Sequence, residues 1–271
     1  MKQLIDLRGR HALVTGGGRG IGRSIALAMA DAGAEVAVAS RSQGELDGVA
    51  AEIKQRGPRG FAVIIDVMSR EQITAGVDEA ARKLGGLDIL VNNAGGGLRH
   101  YPGGAIADNP VHLDPLNHDP RAFEDNLFMN LTQAFYATHV AIPYMIKQKW
   151  GRIISIGSGY AKNGGGPLAY SAAKHGLIGF TRSLAYAAAP HGINVNVLCP
   201  GWTNTKLVDW NALGAMMGMS AADAKRFAES QNIQKRIVEP DELGAMAALL
   251  ASDAASAVTG QVISVDGGFM I

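Results

Sequence analysis

His11-Ala-Leu-Val-Thr-Gly16-Gly-Gly-Arg19-Gly20-Ile-Gly22 leads a short apolar run directly into a glycine-rich turn. The apolar run predicts a strand, and an amphipathic helical pattern starts near Gly22. In such a strand, turn and helix unit, backbone N–H groups and the positive end of the helix face one point, which suits a pyrophosphate. Many turns contain glycine, so this turn gains weight from the strand before it and the helix after it. The segment predicts a dinucleotide site that includes Gly16, Gly18, Arg19, Gly20, Ile21 and Gly22.

The rest of the chain repeats this alternation of short apolar runs and longer helical patterns. Nearly continuous hydrophobicity is typical of parallel strands that are buried on both faces. The predicted strands are 12–15, 36–40, 62–66, 89–92, 152–157, 194–199 and 262–265, and the predicted helices are 22–32, 43–56, 69–84, 121–149, 169–189 and 240–252. Repeated βαβ units predict a doubly wound, Rossmann-type α/β fold with a mostly parallel seven-stranded sheet and helices on both faces. Pro143 lies inside one of the longest helical patterns and should kink or locally break it.

Composition and charge narrow the class of protein. A length of 271 residues fits one large α/β unit, so we expect a single domain over 1–271. The net charge of +1 gives no electrostatic footprint for nucleic acid or an anionic membrane. Cys199 is the only cysteine, and at the end of an apolar strand pattern we expect it to be buried rather than nucleophilic or metal-binding. Without a disulfide, a leader or a long apolar run, the sequence favours a cytoplasmic location.

One segment, 96–120, interrupts the alternation after the carboxyl end of a predicted strand, where open α/β sheets bind ligands. It is rich in Gly, Pro, Asn, Asp and His. It is either a surface excursion or an extended loop near the pocket mouth. Its histidines, His100, His112 and His118, match no usual metal-site spacing, so no metal is predicted.

A second segment, 202–233, interrupts the alternation in a similar position and is predicted to be helical. Its tryptophans and methionines belong either to the core or to the wall of a substrate pocket. Flexible thioethers suit an apolar substrate of irregular shape. We therefore favour a substrate wall that includes Trp202, Trp210, Met216, Met217 and Met219.

The second predicted strand ends at Ser40-Arg41, where an enzyme that prefers NAD usually offers a carboxylate to the ribose 2′-hydroxyl. A hydroxyl and a guanidinium suit a 2′-phosphate instead, and Arg19 can add a second positive charge. These residues predict a preference for NADP(H). The alternative is NAD(H), if Arg41 is only a solvated loop residue.

Tyr170 and Lys174 lie one helical turn apart in Tyr-Ser-Ala-Ala-Lys, downstream of Ser158. A phenol with its ordinary pKa of about 10 is a poor acid–base catalyst at neutral pH, but an ammonium on the same helix face can lower that pKa. The pair can then donate and accept a proton. Because Tyr-x-x-x-Lys is common on helix surfaces, this motif gains its weight from the dinucleotide turn that precedes it.

The order of these motifs resembles the short-chain dehydrogenase/reductase family over nearly the whole chain. The glycine turn is similar to the family's T-G-x-x-x-G-x-G segment, Asp66-Val67 to its adenine-contacting pair and Asn92-Asn93-Ala94-Gly95 to its N-N-A-G segment. The resemblance implies a catalytic set of Asn130, Ser158, Tyr170 and Lys174. It also implies cofactor contacts from Asp66, Val67, Asn93, Ala94, Gly95, Tyr170, Lys174, Pro200, Gly201, Thr203 and Thr205.

The family's chemistry is a hydride transfer between a nicotinamide and a ketone or secondary alcohol, without a metal. By resemblance, Ser158 hydrogen-bonds the substrate oxygen and Tyr170 exchanges the proton, while Lys174 lowers the pKa of Tyr170 and binds the nicotinamide ribose. Asn130 would hold a water that links Lys174 to solvent. The resemblance also implies a homo-oligomer, a tetramer or a dimer, with a contact near the last strand.

Two departures and two rival functions accompany the resemblance. The stretch between Gly95 and Asn130 is longer than the family's usual connection, and Ser40 stands where NAD-preferring members carry aspartate. A sugar-nucleotide epimerase or dehydratase can share Tyr-x-x-x-Lys, but it usually has another glycine spacing and a larger C-terminal domain. A nucleotide-responsive regulator without activity is the other rival, although such proteins tend to have lost one of the catalytic positions.

Overall fold

The computed structural model describes residues 4–96 and 119–270. Seven strands form one sheet in the order β3-β2-β1-β4-β5-β6-β7, and every neighbouring pair is parallel. The strands are β1 His11–Thr15, β2 Glu35–Ser40, β3 Gly60–Ile64, β4 Ile89–Asn92, β5 Gly151–Ile156, β6 Ile193–Pro200 and β7 Val262–Val265. The predicted doubly wound sheet is confirmed.

Nine α-helices connect or flank these strands within the described residues. They are α1 Gly20–Asp31, α2 Gln43–Gln55, α3 Arg70–Leu84, α4 Pro120–Leu127, α5 Gln133–Gln148, α6 Leu168–Ala188, α7 Trp210–Met217, α8 Ala221–Ser230 and α9 Pro240–Ala251. The prediction that 202–233 is helical is confirmed by α7 and α8.

The predicted helix over 121–149 is wrong in one respect. It is interrupted by a wide π-helical turn at Phe128–Thr132, which separates α4 from α5, whereas α5 continues through Pro143 without a break. A π turn widens a single turn of the helix, and Phe128–Thr132 contains no glycine or proline that would mark the change in the sequence. Such turns frequently occur at functional sites.

Two apolar cores lie on the two faces of the sheet. Along β1, Ala12 and Val14 pack into the core that holds α1, α2 and α9, while Leu13 packs into the core that holds α3, α5 and part of α6. All three side chains are fully buried. This alternation explains why strands with two buried faces read as unbroken apolar runs. Cys199 is also fully buried, as predicted.

The strand order reverses at the centre of the sheet and thereby positions the site. β1 lies between β2 and β4, and the chain leaves β1 towards one edge and returns to build the other edge from β4 onwards. In open α/β sheets the crevice at such a switch point, beyond the carboxyl ends of the strands, is where ligands bind.

Candidate active site

A cleft of about 300 Å³ opens at the carboxyl ends of the central strands. It brings together most of the residues predicted to bind a cofactor: Gly16, Gly18, Arg19, Gly20, Ile21, Gly22, Ser40, Arg41, Asp66, Val67, Asn93, Ala94, Gly95, Tyr170, Lys174, Pro200 and Thr205. Within the described part of the chain, two predicted residues, Gly201 and Thr203, do not line this cleft. Thr203 is buried, and its hydroxyl donates to the Gly201 carbonyl oxygen at 3.0 Å, so the two residues support the turn after β6.

The glycine turn is shaped by conformations and contacts that exclude side chains. Gly16 and Gly20 have φ values of +64° and +54°, a region that favours glycine. A Cβ placed on Gly22 would stand 2.2 Å from the carbonyl oxygen of Gly16 and 2.4 Å from Nδ2 of Asn93. The backbone of the turn is therefore packed against the start of α1, with its N–H groups at the cleft.

Asn93 holds this turn to the end of β4. Its Nδ2 donates to the carbonyl oxygens of Thr15 and Gly16, at 2.9 and 3.1 Å. In return, the Thr15 hydroxyl accepts the backbone N–H groups of Asn93 and Ala94, each at 3.1 Å. These reciprocal hydrogen bonds fix the position of the turn relative to the sheet before any ligand binds.

At the end of β2, positive and negative side chains share one wall of the cleft. Ser40, Arg41 and Arg19 line it, as the sequence predicted, but so does Glu45 from the first turn of α2. A guanidinium nitrogen of Arg19 lies 3.9 Å from a carboxylate oxygen of Glu45. A Cβ placed on Gly18 would lie 3.3 Å from Oε2 of Glu45 and 3.4 Å from Oγ of Ser40. Sequence reasoning missed Glu45, although its place in the first turn of the helix after Ser40-Arg41 was readable.

Tyr170 lines the cleft, whereas Ser158, which was predicted to contact substrate, is not among its described lining residues. Ser158 follows β5 and is buried, and Tyr170 lies in the first turn of α6 with its ring half-buried. Burial raises the pKa of Tyr170, while a hydrogen bond with Ser158 opposes that rise. Desolvation disfavours the phenolate, so the raised pKa requires a positive charge nearby if Tyr170 is to exchange protons at neutral pH.

Lys174 supplies a cation at this point. Its Nζ donates to the Ile156 carbonyl oxygen at 2.8 Å and lies 5.5 Å from the centroid of the Tyr170 ring. The side chain is 4% exposed, and burial lowers its pKa from 10.5 to about 8. At neutral pH the ammonium form therefore still dominates.

Asn130 lies in the π turn and faces the backbone at the cleft edge. Its Oδ1 accepts the N–H of Gly96 at 2.9 Å, and its Nδ2 donates to the Gly96 carbonyl oxygen at 3.0 Å. A Cβ placed on Gly95 would lie 2.7 Å from Oδ1 of Asn130 and 3.6 Å from Nζ of Lys174. Asn130 thus lies beside Lys174, as the predicted catalytic set requires, and it also fixes the strand exit at Gly96.

The residues predicted to contact substrate lie apart from the cleft wall. In the described residues the cleft is not lined by Trp202, Trp210, Met216 or Met217, nor by Met219. The rings of Trp202 and Trp210 are 6.0 Å apart, and Nε1 of Trp202 donates to Oε1 of Gln231 at 2.6 Å. Met216 and Met217 are half-buried in α7. Their role as substrate contacts stays a prediction.

The segment after β6 also contacts the opposite side of the cleft. A methyl carbon of Leu207 would lie 3.4 Å from a Cβ on Gly96, and Thr205 contacts the glycine turn at Gly20. Lys206 and Leu207 therefore line the cleft, which the sequence did not predict.

Metal sites and membrane spans were also considered. Most of 96–120, including His100, His112 and His118, lies outside the described residues. Within 4–96 and 119–270, no three His, Cys, Asp or Glu side chains are grouped so that they could share a metal ion. None of the helices described is long and apolar enough to cross a membrane.

Comparison with known proteins gives one consistent result. A family model described as short chain dehydrogenase matches residues 10–214. D-beta-hydroxybutyrate dehydrogenase of Cupriavidus necator is 38% identical, over 97% of this chain and 99% of the relative. A 3-oxoacyl-acyl-carrier-protein reductase of Aquifex aeolicus is 36% identical, over 97% of this chain and 98% of the relative.

Solved structures agree with these relatives. A short-chain type dehydrogenase/reductase from Mycobacterium marinum is 32% identical, with a TM-score of 0.84 and coverage of 98% of this chain and 97% of that chain. A candidate NAD(P)-dependent gluconate 5-dehydrogenase from Beutenbergia cavernae, which has NADP bound at low occupancy, is 34% identical, with a TM-score of 0.84 and coverage of 98% of both chains.

Proposed function

Because this chain belongs to the short-chain dehydrogenase/reductase family and is an oxidoreductase of hydroxyl and keto groups, we propose that it transfers a hydride between NADP(H) and a small ketone or secondary alcohol. The observation that carries this proposal is that Tyr170 and Lys174 line the same cleft as the glycine turn, with the Lys174 ammonium 5.5 Å from the centroid of the Tyr170 ring. Together these groups form an acid–base site beside a dinucleotide cradle.

The glycine turn fits the pyrophosphate of a dinucleotide, because it lines the cleft directly before the start of α1, where a helix offers backbone N–H groups to an anion. When bound, the nicotinamide supplies or accepts the hydride. The Ser158 hydroxyl holds the substrate oxygen, and the Tyr170 hydroxyl gives that oxygen a proton in reduction or takes it in oxidation. The Lys174 ammonium, 5.5 Å from the centroid of the Tyr170 ring, would favour the tyrosinate over the neutral phenol. Asn130 holds the Gly96 backbone next to Lys174 through two hydrogen bonds, and it would hold a water that links Lys174 to solvent.

The preference for NADP(H) rests on Arg19, Arg41 and Ser40 at the end of β2, since guanidinium groups suit a 2′-phosphate. The bound NADP of the Beutenbergia cavernae structure agrees with this choice. Glu45 favours the second candidate, an NAD(H)-dependent enzyme, because its carboxylate would repel a phosphate and could accept a ribose hydroxyl.

The substrate is proposed to be small and apolar or cyclic, with the 202–233 segment as its wall and Trp202, Trp210, Met216 and Met217 as contacts. The relatives named for hydroxybutyrate and for 3-oxoacyl groups support a keto or hydroxyl substrate. We further propose a single domain over 1–271, with 96–120 at the pocket mouth. The protein acts in the cytoplasm as a homo-oligomer, a tetramer or a dimer, without nucleic acid or membrane partners.

One experiment tests activity and cofactor together. Thermal unfolding of the wild type and of Tyr170→Phe is followed with NADPH, NADP⁺, NADH and NAD⁺, since a ligand of the folded state raises the unfolding temperature. Turnover of a ketone panel is measured in parallel. We expect the phosphorylated pair to stabilise both proteins, while Tyr170→Phe loses turnover by a factor of about 10² to 10⁴, the scale of general acid–base catalysis.

Tyr186→Phe is the matched control, because Tyr186 lies later in the same helix, is 89% exposed and should change neither result. Retention of a tenth of the wild-type rate by Tyr170→Phe would rule out its role as acid and base. Stronger stabilisation by the unphosphorylated pair would make NAD(H) the cofactor. No response to any nucleotide would favour a function without hydride transfer.

A further inference from the structure

A second tyrosine, Tyr160, stands beside the proposed acid–base pair. We infer that the Tyr160 hydroxyl hydrogen-bonds a second oxygen of the substrate, close to the reacting carbon, and so selects hydroxyketones or diketones, and the matching diols, over simple ketones. This inference rests on the proposed function, because it assigns the substrate class of the same site. Sequence reasoning gave Tyr160 no role.

The backbone of Tyr160 is joined to the residue proposed to hold the substrate oxygen. Ser158 precedes the short 3₁₀ turn Gly159–Ala161, and its Oγ accepts the N–H of Tyr160 at 3.2 Å. The two hydroxyl-bearing residues therefore belong to one rigid turn after β5. A substrate held by Ser158 has Tyr160 as its immediate neighbour.

The ring of Tyr160 is held from two sides. It packs edge-to-face on Phe269, with centroids 5.5 Å apart and planes at 89°, and Phe269 is 2% exposed. On the other side, a Cβ placed on Gly166 would stand 2.6 Å from Cγ of Tyr160 and 2.7 Å from Oγ of Ser171. The ring has little freedom to rotate away, so the direction of its hydroxyl is preset.

The hydroxyl itself is left for a ligand. Tyr160 is half-buried, and no group in residues 4–96 and 119–270 hydrogen-bonds its hydroxyl. The hydroxyl oxygen is not among the buried polar atoms that lack a partner in these residues, so it is open to solvent or to a ligand. Burial raises the pKa of Tyr160. Tyr160 is therefore a neutral hydrogen-bond donor at physiological pH.

Two roles of Tyr160, packing against Phe269 and recognition of a substrate oxygen, can be distinguished by substitution. A packing role would require the ring and would be met equally well by phenylalanine, which keeps the edge-to-face contact with Phe269. A recognition role requires the oxygen. Tyr160→Phe removes that oxygen alone, and Tyr186→Phe removes a phenol oxygen at the exposed, distant end of α6 as the matched control.

The test compares cyclohexanone with its 2-, 3- and 4-hydroxy derivatives. Their affinities for the enzyme with NADP⁺ are measured by calorimetry in the Tyr170→Phe background, because the hydroxyl group of a hydroxyketone could otherwise be oxidised by NADP⁺. The kcat/KM values with NADPH follow for the same compounds. We expect the wild type to prefer at least one hydroxyketone, and we expect Tyr160→Phe to lose about tenfold in that preference, in affinity and in kcat/KM, with cyclohexanone nearly unchanged.

Three results would overturn the inference: equal handling or no binding of all four compounds by the wild type, an equal loss for every compound in Tyr160→Phe, or the same loss in Tyr186→Phe. Failure of the proposed function looks different. In that case the wild type binds hydroxyketones in preference to cyclohexanone but reduces none of them with either reduced nucleotide, and the affinities alone decide the role of Tyr160.

Discussion

Across the cleft, the glycine turn and the 202–233 segment differ in what determines their shape. The turn is fixed by backbone against backbone, with only 2.2 Å between the place of a Gly22 Cβ and the Gly16 carbonyl oxygen. The 202–233 segment is held by side chains, such as the Trp202 and Trp210 rings at 6.0 Å. A backbone contact admits one residue type, whereas side-chain packing admits many combinations of similar volume. Cofactor residues can therefore be read from sequence, and substrate contacts cannot.

The largest effect is expected for a substitution in the glycine turn, whose shape is fixed by backbone contacts. Gly22→Ala places a methyl group within 2.2 Å of a carbonyl oxygen, so the turn must move, and we expect a loss of about 3 kcal/mol in unfolding free energy together with the loss of nucleotide stabilisation. The matched control is Gly48→Ala in α2, where a Cβ meets nothing within 4 Å. That change should leave stability unchanged or raise it by about 0.5–1 kcal/mol. Chemical denaturation measures both.

Equal behaviour of Gly22→Ala and Gly48→Ala in this measurement would show that the turn yields at little cost. The contrast between the two sides of the cleft would then be invalid.

The second prediction concerns the charge of Lys174 in the cleft. Burial lowers the pKa of Lys174 from 10.5 to about 8, so between these values the unfolded chain binds more protons than the folded one and stability rises with pH. Without nucleotide, the wild type should gain about 2 kcal/mol over Lys174→Met between about pH 7.5 and 9.5. Urea unfolding at both pH values measures this difference.

Lys225→Met is the control for Lys174→Met, because Lys225 lies on α8 with its side chain 53% exposed. Its stability difference from the wild type should not change with pH in the same range. A flat difference for Lys174→Met as well would mean that the ammonium is better solvated than its burial implies.

The smallest effect concerns Glu45, a charged side chain on the same side of the cleft as the glycine turn. Glu45→Gln removes a carboxylate that pairs with Arg19, so the ratio of NADP⁺ to NAD⁺ affinity should rise by a factor of about 3 to 10, less at high salt. Calorimetric titration with both nucleotides measures the ratio. Glu79→Gln on α3, which pairs with Lys83, is the control and should leave the ratio unchanged. An unchanged ratio in Glu45→Gln would place the carboxylate beyond the reach of the ribose 2′-position.

The sequence predicted what depends on a local rule. Periodicity located all seven strands to within two residues, because strands with two buried faces have an unmistakable composition. The turn at Gly16 and the pair of Tyr170 and Lys174 followed from backbone conformation and helix spacing. The π turn around Asn130 was not predicted, since no glycine or proline marks it in the sequence.

Other residues of the site depend on tertiary proximity and were missed for that reason. Leu207 reaches the cleft only because the segment after β6 crosses to Gly96. Tyr160 is two residues from Ser158, but its environment is set by Phe269, more than a hundred positions later. No local pattern signals contacts of this kind.

The 202–233 segment is tied at both of its ends. At its start, Trp202 and Asn204 exchange backbone hydrogen bonds with Val238, and at its end Ile233 and Gln234 donate to the carbonyl oxygens of the 267–268 turn. Because the cost of closing a loop rises only slowly with its length, the stretch between these ties can be lengthened, shortened or exchanged with little effect on the sheet. Because we propose that this segment forms the substrate wall, we expect that grafting it from a relative, with the ties retained, would change substrate specificity and leave the sheet unchanged.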